Sequence, residues 1–335
     1  MEAQPIFDAP TLLRVENLTV DYTSKFSAPA RAIENVSFTL REGEALGVVG
    51  ESGCGKTTLM LAILRLLPPT ARIVRGKALF LGHDLFQLTE KELDDRRWKD
   101  ISIIFQGAMN ALNPVHTVGK QISEAITLHM PPAPKLDVDR RVAELLDLVG
   151  IGPERARQYP HQYSGGMRQR AMIAMALACN PSVIIADEPT TALDVMVQAQ
   201  ILELLGELRK KLGLAVILVT HDLGVVAELC DSVLVMYGGI AAEYSAADRI
   251  FNLPAHPYTQ ELLKAFPDLS RPTDRLVSIP GSPPRLNDLP PGCRFAPRCP
   301  AAFDRCIIEA PPAHLVSEGH YAACHLVEPG GGPRR

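Results

Sequence analysis

No apolar run in this chain reaches the roughly 18 residues that a membrane-spanning helix needs. The longest candidates, such as residues 59–67, are broken by Arg65 and stopped by Pro68-Pro69. A basic leader followed by an apolar core is missing at the N-terminus, so the sequence predicts a cytosolic chain that meets a membrane only through partners. An excess of charge of one sign is also missing. Lys and Arg number 34 against 38 Asp and Glu, and the net charge of −4 speaks against a nucleic-acid surface as the main business. Aromatic residues are few, at 5%, while 47% of the chain is hydrophobic, a balance that fits a globular, helix-rich α/β protein. At 335 residues there is room for one large domain plus a smaller one, or for two ordinary ones.

Cysteine is sparse over most of the chain. Cys54, Cys179 and Cys230 are scattered, whereas Cys293, Cys299, Cys306 and Cys324 crowd together near its end. In a reducing cytosol these four are not expected to form a disulfide framework.

What is present alternates. Residues 12–20 and 36–40 have the β-branched, partly alternating pattern of antiparallel strands, separated by a polar, proline-containing turn. Residues 45–49 form a short apolar strand that runs into a glycine loop, and 57–67 read as a helix ending before Pro68. Further strands are predicted at 101–105, 183–186, 214–220 and 233–236, with helices at 138–149, 167–179 and 197–212. Strands alternating with helices predict a mostly parallel sheet covered on both faces. The polar residues of interest stand at the C-terminal ends of strands, where such sheets bind ligands. After about Asp268 proline and cysteine become dense, which predicts a small, loop-rich appendage.

Gly50-Glu-Ser52-Gly53-Cys54-Gly55-Lys56-Thr57-Thr58 matches the phosphate-loop pattern, after a strand and before a helix. Its glycines let successive N–H groups turn inward around a phosphate, Lys56 reaches the β- and γ-phosphates, and the Thr57 hydroxyl ligates Mg²⁺. Asp187 and Glu188 end the strand at 183–186. A carboxylate at the place of Asp187 serves the Mg²⁺ shell in P-loop ATPases, and Glu188 is then positioned to polarise the attacking water. The bland alternative is a pair of solvated acids at a strand end. Gln106 and His221 each follow a predicted strand, where a lone Gln or His is more often a turn residue than a catalytic one. No Asn-Lys-x-Asp guanine-reading motif occurs, which speaks against a GTPase switch.

Tyr163-Ser164-Gly165-Gly166-Met167 opens a predicted helix with Ser164 as N-cap and two glycines that leave backbone N–H groups uncovered at the positive helix end. With the phosphate loop upstream and Asp187-Glu188 downstream, this order resembles the ATP-hydrolysing subunit of ABC transporters. The resemblance implies a P-loop NTPase (RecA-like) α/β core with an N-terminal antiparallel β subdomain, and a helical subdomain at about 107–179. It implies that Gln106 contacts Mg²⁺ and the water, and that His221 contacts the γ-phosphate. Thr191-Ala192-Leu-Asp194 resembles the D-loop that crosses to a partner subunit. Ser164, Gly165 and Gly166 would face a γ-phosphate held by that partner. Tyr22 is the candidate for stacking on adenine, with Phe26 competing; a strand-edge packing role is the alternative. Two departures stand out: Tyr163 and Met167 replace the usual Leu and frequent Gln of the signature, and Cys54 stands where Ser is common. Alkylation of Cys54 is expected to block ATPase activity, with bound ATP protecting.

Only about 110 residues separate the half-motifs, without sustained heptads, unlike the repair ATPases. One such domain is present, where translation factors usually carry two. Asn252-Leu-Pro-Ala-His256-Pro257-Tyr258-Thr259, Ile279-Pro280-Gly281-Ser-Pro283-Pro284, Cys293-Arg-Phe-Ala-Pro-Arg-Cys299-Pro and Gly319-His320-Tyr-Ala-Ala-Cys324-His325 resemble the C-terminal extension of oligopeptide and dipeptide importer ATPases. The resemblance divides the chain into an ATPase domain at 10–268 and an extension at 269–335. Phe105-Gln106-Gly-Ala-Met-Asn110-Ala-Leu-Asn113-Pro114 resembles the segment that meets the membrane subunits. The partners implied are a second, related ATPase subunit, two transmembrane permeases and, through them, an extracytoplasmic solute-binding protein, with the chain at the cytoplasmic face of the membrane. ATP and Mg²⁺ are the implied cofactors. The four late cysteines leave zinc, a [4Fe–4S] cluster and free buried thiols open; the resemblance favours the cluster, with Cys293, Cys299, Cys306 and Cys324 as ligands. A non-transport ATPase acting as a conformational switch is the alternative function.

Overall fold

The structure is a computed structural model that describes residues 9–23, 29–107, 111–130, 134–191, 193–265 and 278–327. Phe26, Asn110 and Ala192 lie outside the described residues, as does the expected boundary at 268–269.

In chain order, strands β1 (Thr11–Tyr22) and β2 (Ala30–Arg41) lead to β3 (Ala45–Val49) and helix α1 (Lys56–Ile63). Next come β4 (Ala71–Phe80), the short β5 (His83–Asp84) and α2 (Glu90–Asp94), then β6 (Ile101–Ile104). Three helices follow, α3 (Val118–His129), α4 (Lys135–Leu148) and α5 (Gly165–Ala176), and then β7 (Val183–Asp187), α6 (Val195–Leu212) and β8 (Ala215–Val219). After these come α7 (Leu223–Leu229), β9 (Ser232–Tyr237), β10 (Ile240–Ala246), α8 (Ala247–Asn252), α9 (Pro257–Lys264), α10 (Asp304–Ile308), β11 (His314–Ser317) and β12 (His320–Ala322). The described residues fall into two compact units, one of 42–44 and 87–219, the other of 9–41, 45–86 and 220–327.

In the first unit β6, β7 and β8 run parallel, with Ile101 opposite Val183 and Val183 opposite Ala215. β7 and β8 are buried along their whole length, as parallel strands covered on both faces must be. Helices α3 to α6 share one core in which Ile122, Leu145, Leu146, Ile173 and Ile201 are fully buried. Each such side chain contributes roughly 1.5–3 kcal/mol relative to exposure. Three helix starts are closed by their own side chains: Thr117, Ser164 and Asp194 accept from the N–H groups of Lys120, Met167 and Val197. These caps satisfy donors that the helix itself leaves open.

In the second unit β2, β1, β4 and β5 form an antiparallel sheet in that order. β3 runs parallel to β9, and both are wholly buried. Helix α1 is shorter than the predicted 57–67. Arg65 takes a φ of 52°, and the bonds from Arg65 N to Ala62 O and from Leu66 N to Leu61 O close the end. This is a Schellman ending, so the backbone stops the helix before Pro68 does. The tail adds two short strands beside β10. β10 pairs antiparallel with β9 and with β12, and β12 with β11. The three-residue β12 is too short to leave a period in the sequence.

Candidate functional site

The phosphate loop of the second unit is built against β9. A Cβ on Gly50 would come within 2.1 Å of the Met236 carbonyl oxygen, so the loop can pass there only as glycine. Lys56 is buried, and its ammonium donates to the carbonyls of Gly50 at 2.7 Å and Glu51 at 3.1 Å. Helix α1 starts at Gly55 with no side-chain cap and no acidic residue in its first turn. Its leading N–H groups therefore keep their positive end for an anion. Ser52, Gly53 and Thr57 are exposed on this loop. Cys54 is 2% exposed, and burial pushes its thiol up, against the pull of Lys56 beside it. The Tyr22 hydroxyl lies 3.4 Å from that of Thr58, which sets the aromatic candidate beside the start of α1. His221 is exposed after the buried Thr220, whose hydroxyl accepts from Asp222 N.

In the first unit Asp187 is 1% exposed at the end of β7. Glu188 follows with a φ of 46°, a left-handed backbone that costs a non-glycine residue roughly 1–2 kcal/mol. Its N–H donates to Val219 O at 2.9 Å, which holds the turn. Gln106 Nε2 donates to Glu188 Oε2 at 2.7 Å, and the Thr191 hydroxyl donates to the same oxygen at 3.1 Å. The structure thus brings Gln106 and Glu188 together. Thr191 is the partner that the sequence reading missed: the D-loop resemblance marked its segment but gave no sign of this bond. Ser164 and Asp194 spend their oxygens as helix caps, leaving Gly165 and Gly166 on the first turn of α5. Phe105 and Val115 are exposed on either side of the undescribed 108–110.

The tail corrects the expectation of a [4Fe–4S] cluster on Cys293, Cys299, Cys306 and Cys324. All four are free thiols, yet among the described residues no group of three or more His, Cys, Asp or Glu is placed to hold a metal ion, zinc included. Burial pushes the thiols of Cys293, Cys299 and Cys324 up, the last to about 11. The tail instead holds itself by ordinary packing. Phe295 is 1% exposed and packs against Tyr237 and Tyr258, with ring centroids at 5.2 and 5.3 Å. Arg294 pairs with Glu34, and β12 adds to β10. The ligand set was what the resemblance implied, and the placement of ligating groups among the described residues does not support it.

A family model described as ABC transporter matches residues 33–191, and one described as the C-terminal region of the oligopeptide/dipeptide transporter matches residues 242–306. The dipeptide transport ATP-binding protein DppD of Escherichia coli (strain K12) is 46% identical over 316 residues, covering 94% of this chain and 96% of the relative. The oligopeptide transport ATP-binding protein OppD of Salmonella typhimurium is 47% identical over 318 residues, covering 94% of each. Among solved structures, the dimeric post-hydrolysis state of the ATP-binding cassette MJ0796 bound to ADP and Pi superposes with a TM-score of 0.63 at 29% identity, over 70% of this chain and 99% of that one.

Proposed function

Because the chain belongs to the ATP-binding subunits of ABC transporters, in their oligopeptide and dipeptide branch, we propose that it hydrolyses ATP to power import of peptides or related small solutes. The observation that carries the hydrolytic reading is the hold on Glu188, a carboxylate after a buried Asp187 whose oxygen takes hydrogen bonds from both Gln106 and Thr191. A carboxylate so oriented can accept a proton from water as the water attacks.

In the second unit Lys56 and the amides from Gly53 to Thr58 bind the β- and γ-phosphates of ATP, with the uncapped start of α1 supporting them. Tyr22 stacks on the adenine, and His221 binds the γ-phosphate. Hard oxygen donors suit Mg²⁺, and the exposed Thr57 hydroxyl and the Asp187 carboxylate fit that need, with Gln106 as a further oxygen. Bound Mg²⁺ supplies neutralisation of phosphate charge. In the first unit Glu188 polarises the attacking water. Ser164, Gly165, Gly166 and the Asp194 segment serve a nucleotide held by a second subunit, a related chain, so each chain carries two half-sites. The ATPase domain takes 10–268 and the extension 269–335. Two permeases and, through them, an extracytoplasmic solute-binding protein complete the importer, with this chain at the cytoplasmic face of the membrane.

The test is twofold. Purified together with its partner ATPase subunit, the chain should release phosphate from ATP in the presence of Mg²⁺, and isolation from native membranes should bring permeases with it. Isolation from native membranes that brings no permease would overturn transport, and no hydrolysis in the assembled complex would overturn the enzyme.

A further inference from the structure

Contacts from Tyr258 in α9 and from Arg298 in the tail converge on Glu51, the second residue of the phosphate loop. The Glu51 N–H donates to the Tyr258 hydroxyl at 3.1 Å. Arg298 grips its carboxylate with both arms of the guanidinium, Nη1 at 2.7 Å from Oε2 and Nη2 at 3.0 Å from Oε1. The Arg298 side chain is 5% exposed and that of Glu51 25%. Arg298 is itself held by the carbonyls of Pro280 at 2.8 Å and Ile279 at 3.3 Å, and it lies 5.8 Å over the Tyr237 ring. Tyr258 is fully buried, with its ring 4.5 Å from that of Tyr237. Glu51 thus has three attachments. Its amide is held by Tyr258, its carboxylate by Arg298, and its carbonyl by the ammonium of Lys56.

A carboxylate at this place needs neutralising. It follows Gly50 directly in a loop read as binding phosphates, and an unpaired negative charge there repels a polyphosphate. In a half-buried setting such repulsion is not screened away by salt as it is at an open surface. A bidentate, nearly buried guanidinium removes that charge and also fixes the direction of the carboxylate. The bond from the Glu51 amide to the buried Tyr258 hydroxyl ties the start of the phosphate loop to α9.

We propose that Arg298 and Tyr258 are positioning residues for nucleotide binding that act through Glu51, so that α9 and the tail together set the affinity of the phosphate loop for a nucleoside triphosphate. This rests on the reading that the chain binds ATP. It gives Tyr258 and Arg298, one from each of two motifs singled out in the sequence, a role that does not involve metal.

The test is titration of the purified full chain with ATP and Mg²⁺, together with steady-state hydrolysis, for Arg298→Met, Arg298→Lys, Tyr258→Phe and the double variant Arg298→Met/Glu51→Gln. Arg298→Met should weaken ATP binding by about 10- to 100-fold with kcat nearly unchanged, the scale of a lost hydrogen bond to a charged group. The double variant should bind within about 3-fold of wild type, because the offending charge is gone too. Arg298→Lys, which keeps the charge without the fork, should fall between. Tyr258→Phe removes one oxygen and should weaken binding by about 3- to 10-fold, which keeps the proposal open to refutation if Arg298→Met fails to fold. A merely structural role predicts instead that Arg298→Met lowers kcat and melting temperature together and that Glu51→Gln rescues nothing. Wild-type affinity in both single variants, or a double variant as weak as Arg298→Met, overturns the inference. A wild-type protein that does not bind ATP overturns the proposed function and the inference with it.

Discussion

Gln106 donates its side-chain amide to Glu188 at 2.7 Å, from just beyond the end of β6 to just beyond the end of β7. With Thr191 on the same oxygen, the carboxylate is aimed rather than free to rotate. Glu188→Gln should therefore keep ATP affinity while phosphate release falls by about 10²- to 10⁴-fold, and the variant should accumulate as an ATP-bound dimer. Gln106→Ala leaves Thr191 in place and should cost about 10-fold. Phosphate-release assays with size-exclusion chromatography check both; a Glu188→Gln variant hydrolysing at the wild-type rate removes Glu188 from the reaction.

The signature glycines carry a packing demand as well as a proposed functional one. A Cβ on Gly166 would lie 2.7 Å from Cγ1 of Val197, on the first turn of α6. Valine has little rotamer freedom in a helix, so it cannot swing aside. Gly166→Ala should lose about 1–3 kcal/mol in urea denaturation, and Val197→Ala should restore much of it. If the double variant is no more stable than Gly166→Ala, the close approach is not what requires glycine.

The positions proposed for the candidate site were legible in the sequence because they stand where short apolar runs end. Gln106 after β6 and Asp187 at the end of β7 are legible in this way, since an apolar run that stops at a polar residue marks the C-terminal end of a buried strand. What could not be read are the contacts made across long separations. Glu51 and Arg298 are 247 residues apart, and nothing local to either predicts the pair. The left-handed backbone of Glu188 is equally silent, because the strain is imposed by the turn around it and not by the residue type. The expected iron–sulfur cluster is not supported by the placement of ligating groups among the described residues, and buried aromatic packing around Phe295 gives the tail cohesion without it.

Cys54 lies under the phosphate loop, its sulfur 3.8 Å from the Lys56 ammonium. Burial holds the thiol protonated, so iodoacetamide at neutral pH should modify it in the native chain at least about 10-fold more slowly than in urea, since the thiolate is the reactive form. Once added, the group has no room, and ATP binding should be lost; bound ATP should slow the reaction further. Peptide mass mapping against time, beside phosphate release, checks this. Rapid native modification with full activity retained would show that the thiol does not lie under the loop.

His256 makes the second unit acid-sensitive. It is 2% exposed, and its Nδ1 accepts from Tyr258 N at 2.9 Å, closing the start of α9. That acceptor role requires the neutral ring. Burial lowers the pKa from 6.5 to about 4, outweighing the opposing pull of the Glu243 carboxylate. Glu243 is held in turn by the N–H groups of Ala255 and His256 and by His320 Nε2 at 2.7 Å. Since the folded pKa is the lower one, the unfolded chain takes up a proton between pH 6.5 and about 4 that the folded chain refuses. The stabilisation is therefore complete above pH 6.5 and is lost as pH falls toward about 4, by roughly 3 kcal/mol across the window. Asparagine can accept the same cap bond without titrating. His256→Asn should thus have a urea midpoint that changes less between pH 7.5 and pH 5 than the wild-type midpoint does. Equal acid slopes for the two proteins would place the sensitivity elsewhere than on this ring.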